Sequence, residues 1–344
     1  MRRRQLLLLL ALFISVAVCL AVFWQRFHEL SRNEEENFAA YDRHYVMITE
    51  DGDSDFWDQV YESALEEGKA QGVYVERFGK NLSVEYGRNE LLKFAIQASV
   101  DGIIVSGDED ERTVALLNEA AGKGIPVVTV LQDSPGSLRQ CFVGNNSYHL
   151  GQEYAGQIMA LLDENKDNLA ADRDAGHPVK TLVLMDADRQ DSSQMLTTLG
   201  IRETLERKLE GRIPVSVETR KVDNSRSFSS EEYIRDIFLS REELPDILIC
   251  LSAVHTRCAY QAAVDYNKVG SMQILGYYDS DAVLDAVAKG IVCSTITIDT
   301  TQMGKQCIDA LEEYIKTGYT NNYRAVDTRL ITSKEAEALL AQEE

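Results

Sequence analysis

The five histidines and six cysteines of this 344-residue sequence are the side chains best able to hold a metal or attack a substrate, and neither set is spaced to do so. His28, His44, His149, His177 and His255 are scattered along the chain. Cys19, Cys141, Cys250, Cys258, Cys293 and Cys307 form no C-x-x-C pair, so they read as small buried apolar residues. The 56 carboxylates follow no paired-acid motif, and there is no G-x-S-x-G elbow, glycine-rich phosphate cradle or H-E-x-x-H. No catalysis, metal or cofactor is expected. The chemistry left to such a chain is recognition by aromatic and polar side chains at the ends of structural elements.

Those elements alternate. Strand-like apolar runs recur at Tyr45–Thr49, Val73–Phe78, Gly102–Ser106, Pro126–Val130, Thr181–Met185, Val215–Thr219, Ile247–Leu251, Gln273–Gly276 and Val292–Ile296. Between them apolar residues fall at helical spacing, as in Trp57, Val60, Tyr61, Ala64, Leu65 and Gly68. Such alternation predicts an α/β fold of doubly wound parallel sheets, with strands buried on both faces. The length suits two lobes, and the weakest stretch of the pattern, Asp163 to Pro178, is read as the entry to the second. Ligands of parallel sheets sit beyond the carboxyl ends of strands, so the loops after Thr49, Val105, Val130, Val143, Met185, Leu251 and Gly276 are the informative ones.

The start of the chain differs in character. Arg2, Arg3 and Arg4 precede an uncharged run from Leu6 to Trp24, nineteen residues, which at about 1.5 Å each would span a bilayer. The basic cluster would keep the N-terminus in the cytoplasm and place the bulk of the chain outside, as a single-pass membrane protein. A cleaved signal peptide and a lipoprotein box at Val16-Ala17-Val18-Cys19 are the alternatives, the second with a bulky Val18 where a small residue is usual. The formal charge is −21, and the four arginines before residue 28 make the remainder more acidic still, which disfavours nucleic acid as a partner.

From about Tyr45 to Thr332 the sequence resembles the type I periplasmic binding proteins, in particular their ribose- and galactose-binding branch. The segments that carry the resemblance come in the family's order: Asp53-Ser54-Asp55-Phe56-Trp57, Val100 to Val105, Gly124 to Val128, Val143 to Gly151, Ile274 to Asp279, Lys289-Gly290, Thr295-Ile296 and Met303-Gly304. The resemblance implies two doubly wound lobes joined by a three-strand hinge. With residues 1–27 read as the anchor from their apolar run and 28–42 as a linker from their polar, acidic composition, the family's crossovers assign 43–165 plus 299–325 to the first lobe and 178–298 plus 326–344 to the second. The resemblance also implies a small ligand in the inter-lobe cleft, a sugar or related polyol, and a membrane partner: an ABC permease or a sensor histidine kinase.

Phe56 and Trp57 would begin a helix whose N-terminus faces that cleft, an apolar plate beside free backbone N–H groups. The family's polar contacts map less well. Its first-loop asparagine corresponds to Ser54, its Asp-Asn pair to Asn146 and Ser147, and the arginine of its R-x-x-G motif to Thr197. Its Asn-Asp pair becomes Ala253-Val254, and its last-hinge glutamine becomes Ile298. The aspartate of its G-F-D turn is met by Asp279 or replaced by Tyr278. Candidate replacements nearby are Gln132, Asp133, Asn145, His149, Asp188, Arg189, His255 and Asp299, with Arg189 the best cation and His255 a donor from the second lobe.

Overall fold

The structure, a computed structural model, describes residues 41–49, 55–80, 82–84, 86–164, 178–187, 192–210, 214–222, 229–240 and 244–343. The expected membrane run lies outside the described residues, as do Ser54, Asp188 and Arg189. Among the described residues no helix is long and apolar enough to cross a membrane.

The first sheet contains β1 (Arg43–Ile48), β2 (Val73–Arg77), β3 (Gly102–Val105), β4 (Val127–Val130), β5 (Cys141–Gly144) and, from far along the chain, β11 (Tyr323–Ala325). Its order is β11-β5-β4-β3-β1-β2, parallel throughout. Residues of β1 divide between two layers. Tyr45 and Met47 pack with α1 (Asp55–Ala70) and α9 (Thr300–Thr317), whereas Val46 and Ile48 pack with α2 (Arg88–Ala98) and α3 (Glu111–Gly122). Period-two alternation with both faces covered accounts for the unbroken apolar runs.

The second sheet joins β6 (Val179–Asp186), β7 (Val215–Val222), β8 (Ile247–Cys250), β9 (Gln273–Tyr277), β10 (Ser294–Ile298) and β12 (Thr328–Ile331) in the order β12-β10-β9-β8-β6-β7. β12 runs antiparallel to β10, the exception to an otherwise parallel sheet. One face is covered by α6 (Ser229–Leu239), α7 (Ala253–Asp265), α8 (Asp281–Ala288) and α10 (Ser333–Glu343), the other by α4 (Ser147–Glu164) and α5 (Ser193–Leu209).

The position of α4 corrects the expected lobe boundary at residue 165. Leu150, Tyr154, Ala155 and Ile158 are buried among Val183, Ile249 and Leu275 of the second sheet. The physical reason is a glycine contact: a Cβ on Gly151 would collide with the Thr197 carbonyl, and one on Gly200 with the Tyr148 carbonyl. Bare backbone on both helices lets α4 and α5 pack closely, and α4 is carried into the second lobe. The chain first crosses between β5 and α4, just after Gly144.

Two other crossings run beside that one. Val326 N–H donates to the Gly144 carbonyl (2.9 Å) and Asp299 N–H to the Asp327 carbonyl (3.0 Å). Gln302 grips Asp327 from both sides, accepting from its N–H (2.7 Å) and donating to its carboxylate (3.2 Å). Beyond this hinge the carboxyl ends of both sheets face each other.

Candidate functional site

On the first lobe, helix α1 starts directly after the loop that follows β1, so Phe56 and Trp57 sit at the carboxyl end of the sheet. They are 7 % and 6 % exposed and meet edge to face, ring centroids 5.1 Å apart. From the second lobe Tyr278, one residue past β9, reaches across and packs edge to face on Phe56 at 5.3 Å. Tyr278 is 2 % exposed and belongs to the apolar cluster of the first lobe, with Ile298 in the same cluster and Leu131, Ala253 and Tyr277 packed against it. Edge-to-face pairs of this kind add about 0.5–1.5 kcal/mol beyond their burial.

The backbone of Tyr278 has φ 76°, a left-handed conformation unusual for a bulky residue. It is held there by its N–H donating to the Ile296 carbonyl (2.9 Å) and by Thr295 Oγ1 donating to its carbonyl (2.7 Å). Leu131, ending the strand run of β4, has φ 63°. Both strained residues lie at this junction, where strain of about 1–3 kcal/mol persists only if surrounding structure over-determines it. The Tyr278 hydroxyl is buried and has no hydrogen-bond partner among the described residues. Burial first, then the carboxylates of Asp279 and Asp55, push its pKa upward, so it stays a neutral donor.

The carboxylates around the junction are engaged within the protein. Asp133 receives both arms of Arg139 (2.5 and 2.6 Å), and its Oδ1 also accepts from Thr129 Oγ1 and Ser134 N–H. Asp108 is paired with Arg88, and Asp58 with Arg77. On the second lobe, Asp186 at the end of β6 accepts from Gln194 Nε2 (2.9 Å) and donates its N–H to Gln194 Oε1 (2.8 Å), while His255 Nε2 lies 3.2 Å from its Oδ1. The imidazole is fully buried at the start of α7, where Ser252 caps the helix by accepting from His255 N–H. It braces Asp186.

The sequence candidates therefore separate. Phe56, Trp57 and Tyr278 come together. Gln132 is buried at the end of β4, its carbonyl accepting from Gly107 N–H at 3.0 Å. Asp279 accepts from Thr297 Oγ1 (2.6 Å), close to the hinge. Asn146 is exposed and caps α4 by accepting from His149 N–H (3.0 Å), with Ser147 half-buried as the first residue of that helix. His149 is also exposed and turns along its own helix toward Gln152, and Asp299 caps α9. Asp186 and Gln194 escaped sequence reasoning. Alternation from Leu182 through Leu184 to Asp186, beyond which an informative loop was already expected, was the signal available for the first.

An open groove of about 370 Å³ between α5 and β7, lined by Arg202, Leu205, Pro214 and Val217, lies on the outer flank and not at this junction. The lobes also touch through Ser192 N–H, which donates to Glu109 Oε1 at 3.1 Å.

Residues 45–319 match the family model described as a periplasmic binding protein domain. Among solved structures the chain is similar to GanP, a glucose-galactose binding protein from Geobacillus stearothermophilus, at 23 % identity over 86 % of this chain and 98 % of that one, with a TM-score of 0.70. It is similar to the XylFII–LytSN complex at 23 % identity, covering 85 % and 98 %, with a TM-score of 0.68. A solute-binding protein of an ABC transporter from Burkholderia graminis, in complex with D-arabinose, aligns at 16 % identity, covering 86 % and 96 %, with a TM-score of 0.71. No curated protein sequence matches the chain.

Proposed function

Because the chain belongs to the periplasmic binding protein family, we propose that it is an extracytoplasmic receptor that captures a small carbohydrate between its lobes and presents the closed form to a membrane partner. The observation that carries this reading is the meeting of Phe56 and Tyr278 from opposite lobes at the carboxyl ends of both sheets. Aromatic plates there suit the C–H face of a sugar ring, and the hinge crossings beside them allow the lobes to close on it. Phe56, Trp57, Tyr278 and Gln132 are proposed as direct contacts. Ser54 and Arg189, which lie outside the described residues, complete the proposed set by their sequence positions, with Asn146, Ser147 and Asp279 at the hinge side and His255 acting through Asp186.

The partner we favour is a sensor kinase over an ABC permease. An uncleaved Leu6–Trp24 anchor would hold the receptor beside its partner at high effective concentration while restricting how far it roams. That a protein of the same fold is found in a XylFII–LytSN complex supports a protein partner, and the binding protein of an ABC transporter among the neighbours keeps the permease in view. Deleting the gene and measuring both uptake of the sugar and transcription induced by it separates the two. Lost induction with normal uptake is expected. Lost uptake with intact induction overturns the sensor assignment.

A further inference from the structure

We infer that two copies of the chain pair through β7, edge strand against edge strand, into one continuous sheet across a twofold axis at Thr219. β7 closes one side of the second sheet and is eight residues long, whereas the other edge strands, β2, β11 and β12, have five, three and four. Val179 N–H donates to the Pro214 carbonyl and Ala187 N–H to the Val222 carbonyl, both at 2.8 Å. Backbone groups alternate in direction along a strand, so the even-numbered residues of β7 bond β6, and Val217, Thr219 and Lys221 turn theirs outward. Arg202 Nη2 donates to the Val217 carbonyl from that outer side, at 2.9 Å. Glu218, Thr219 and Lys221 are exposed, and an edge this long with no proline is a template for another strand.

The charges along β7 select the occupant and the register. Antiparallel pairing of two such edges sets outward residue against outward residue. Centring it on Glu218, Arg220 or Lys221 opposes like charges at the axis, and centring it on Val217 leaves Lys221 and Val222 beyond the end of the other strand. Centring it on Thr219 sets Glu218 against Arg220 of the partner subunit, twice. The same register places Lys221 of the partner subunit opposite Val217, which lines the groove of about 370 Å³ together with Glu206. Arg220 also has an interaction within its own chain and shares its charge with the pair.

The helix beside the strand agrees. α5 runs antiparallel to β7, because it connects two parallel strands. The step from Val217 to Thr219 covers about 6.6 Å, which is about four residues back along α5 from Arg202. Leu199 and Met195, three and seven residues before Arg202, share its face and are 44 % and 67 % exposed. They therefore stand beside the axis, where the two copies of α5 meet. A strand seam alone is small for a stable dimer, which buries about 800 Å² per partner, and this apolar end of α5 enlarges it. No residue of the hinge or of the Phe56–Tyr278 junction takes part, so the pairing is separate from ligand capture.

Sedimentation of the full-length chain in detergent, over a series of protein concentrations, tests this, and a monomer–dimer equilibrium is expected. Glu218→Arg and Arg220→Glu should each weaken it about tenfold, and the double exchange should return it to within about threefold of the native value. Thr219→Pro removes an N–H that faces away from β6 and should abolish the dimer with little change in melting temperature. A chain that stays monomeric overturns the inference. So does a dimer indifferent to these changes, as one held by the anchor would be, and so does a double exchange that restores nothing. In the diluted monomer the Val217 and Thr219 amides should exchange fast with solvent deuterium. Slow exchange there would show the chain's own residues filling the edge, and would also overturn the pairing.

Discussion

Glu312, at the base of the first lobe, is 2 % exposed and both of its oxygens are met, whereas at the opposite end of that lobe the equally buried hydroxyl of Tyr278, reaching in from the second lobe, meets nothing among the described residues. Glu312 Oε1 accepts from Arg43 Nη1 (2.9 Å) and the Tyr45 hydroxyl (2.6 Å), and Oε2 accepts from Arg43 (3.0 Å) and Lys316 (2.8 Å). A buried charge with all its partners present is a fixed part of the scaffold. A buried donor without one among the described residues, on a strained backbone, is a feature that the proposed ligand would account for. The contrast separates the end that holds the lobe together from the end proposed to bind.

The largest effect expected from that contrast is at the base. Glu312→Ala leaves Arg43 and Tyr45 without their acceptor and should cost about 3 kcal/mol in denaturant unfolding; a change below about 1 kcal/mol would contradict a scaffold role. Burial opposes ionisation of Glu312, but hydrogen bonds from Lys316 and Tyr45 and the charge of Arg43 prevail and hold its pKa below the ordinary 4.5. Its contribution is therefore complete above the ordinary value and is lost as pH falls through the lower folded one. Glu312→Gln should flatten the acid limb of the stability profile in that window.

The next effect tests the lobe boundary. Gly200→Ala drives a methyl into the Tyr148 carbonyl, which should cost about 2 kcal/mol and loosen hydrogen-exchange protection along α4 and β6 together. Protection lost in α5 alone would return α4 to the first lobe.

The smallest effect is at the cleft itself. Tyr278→Phe removes a hydroxyl that has no partner among the described residues, so unliganded stability should hold or rise by up to about 1 kcal/mol. A loss of 2 kcal/mol or more in urea unfolding would show that the hydroxyl serves the scaffold.

Much of this architecture was legible in the residues. Short, doubly buried runs such as Gly102–Val105 and Ile247–Cys250 announce parallel strands because no polar residue interrupts them. Two strands were not read, and of a third only the end at Val143 was. Cys141–Gly144 is only four residues long, while Tyr323–Ala325 and Thr328–Ile331 carry Arg324 and Arg329 at sheet edges. β10 begins two residues later than expected because Val292 is buried in the helical layer before the strand starts. The membership of α4 depends on Gly151 meeting Gly200, a contact across nearly fifty residues that local patterning cannot announce. Phe56 and Trp57 were legible as the start of a helix after β1, where the structure places them. The orientation of Tyr278 was not, because it depends on a positive φ fixed by Thr295 and Ile296. Asp133 looked available for a ligand until the fold brought Arg139 onto it.

The central claim is capture of a carbohydrate at the junction of Phe56 and Tyr278. Its most direct measurement is thermal unfolding of the full-length protein across a panel of pentoses, hexoses and deoxy sugars, repeated with Phe56→Ala. At a hundred times its dissociation constant, one sugar should stabilise the native protein by about 2.7 kcal/mol, and Phe56→Ala should remove most of that gain. A folded protein that no sugar stabilises, or a gain left intact by Phe56→Ala, would contradict it.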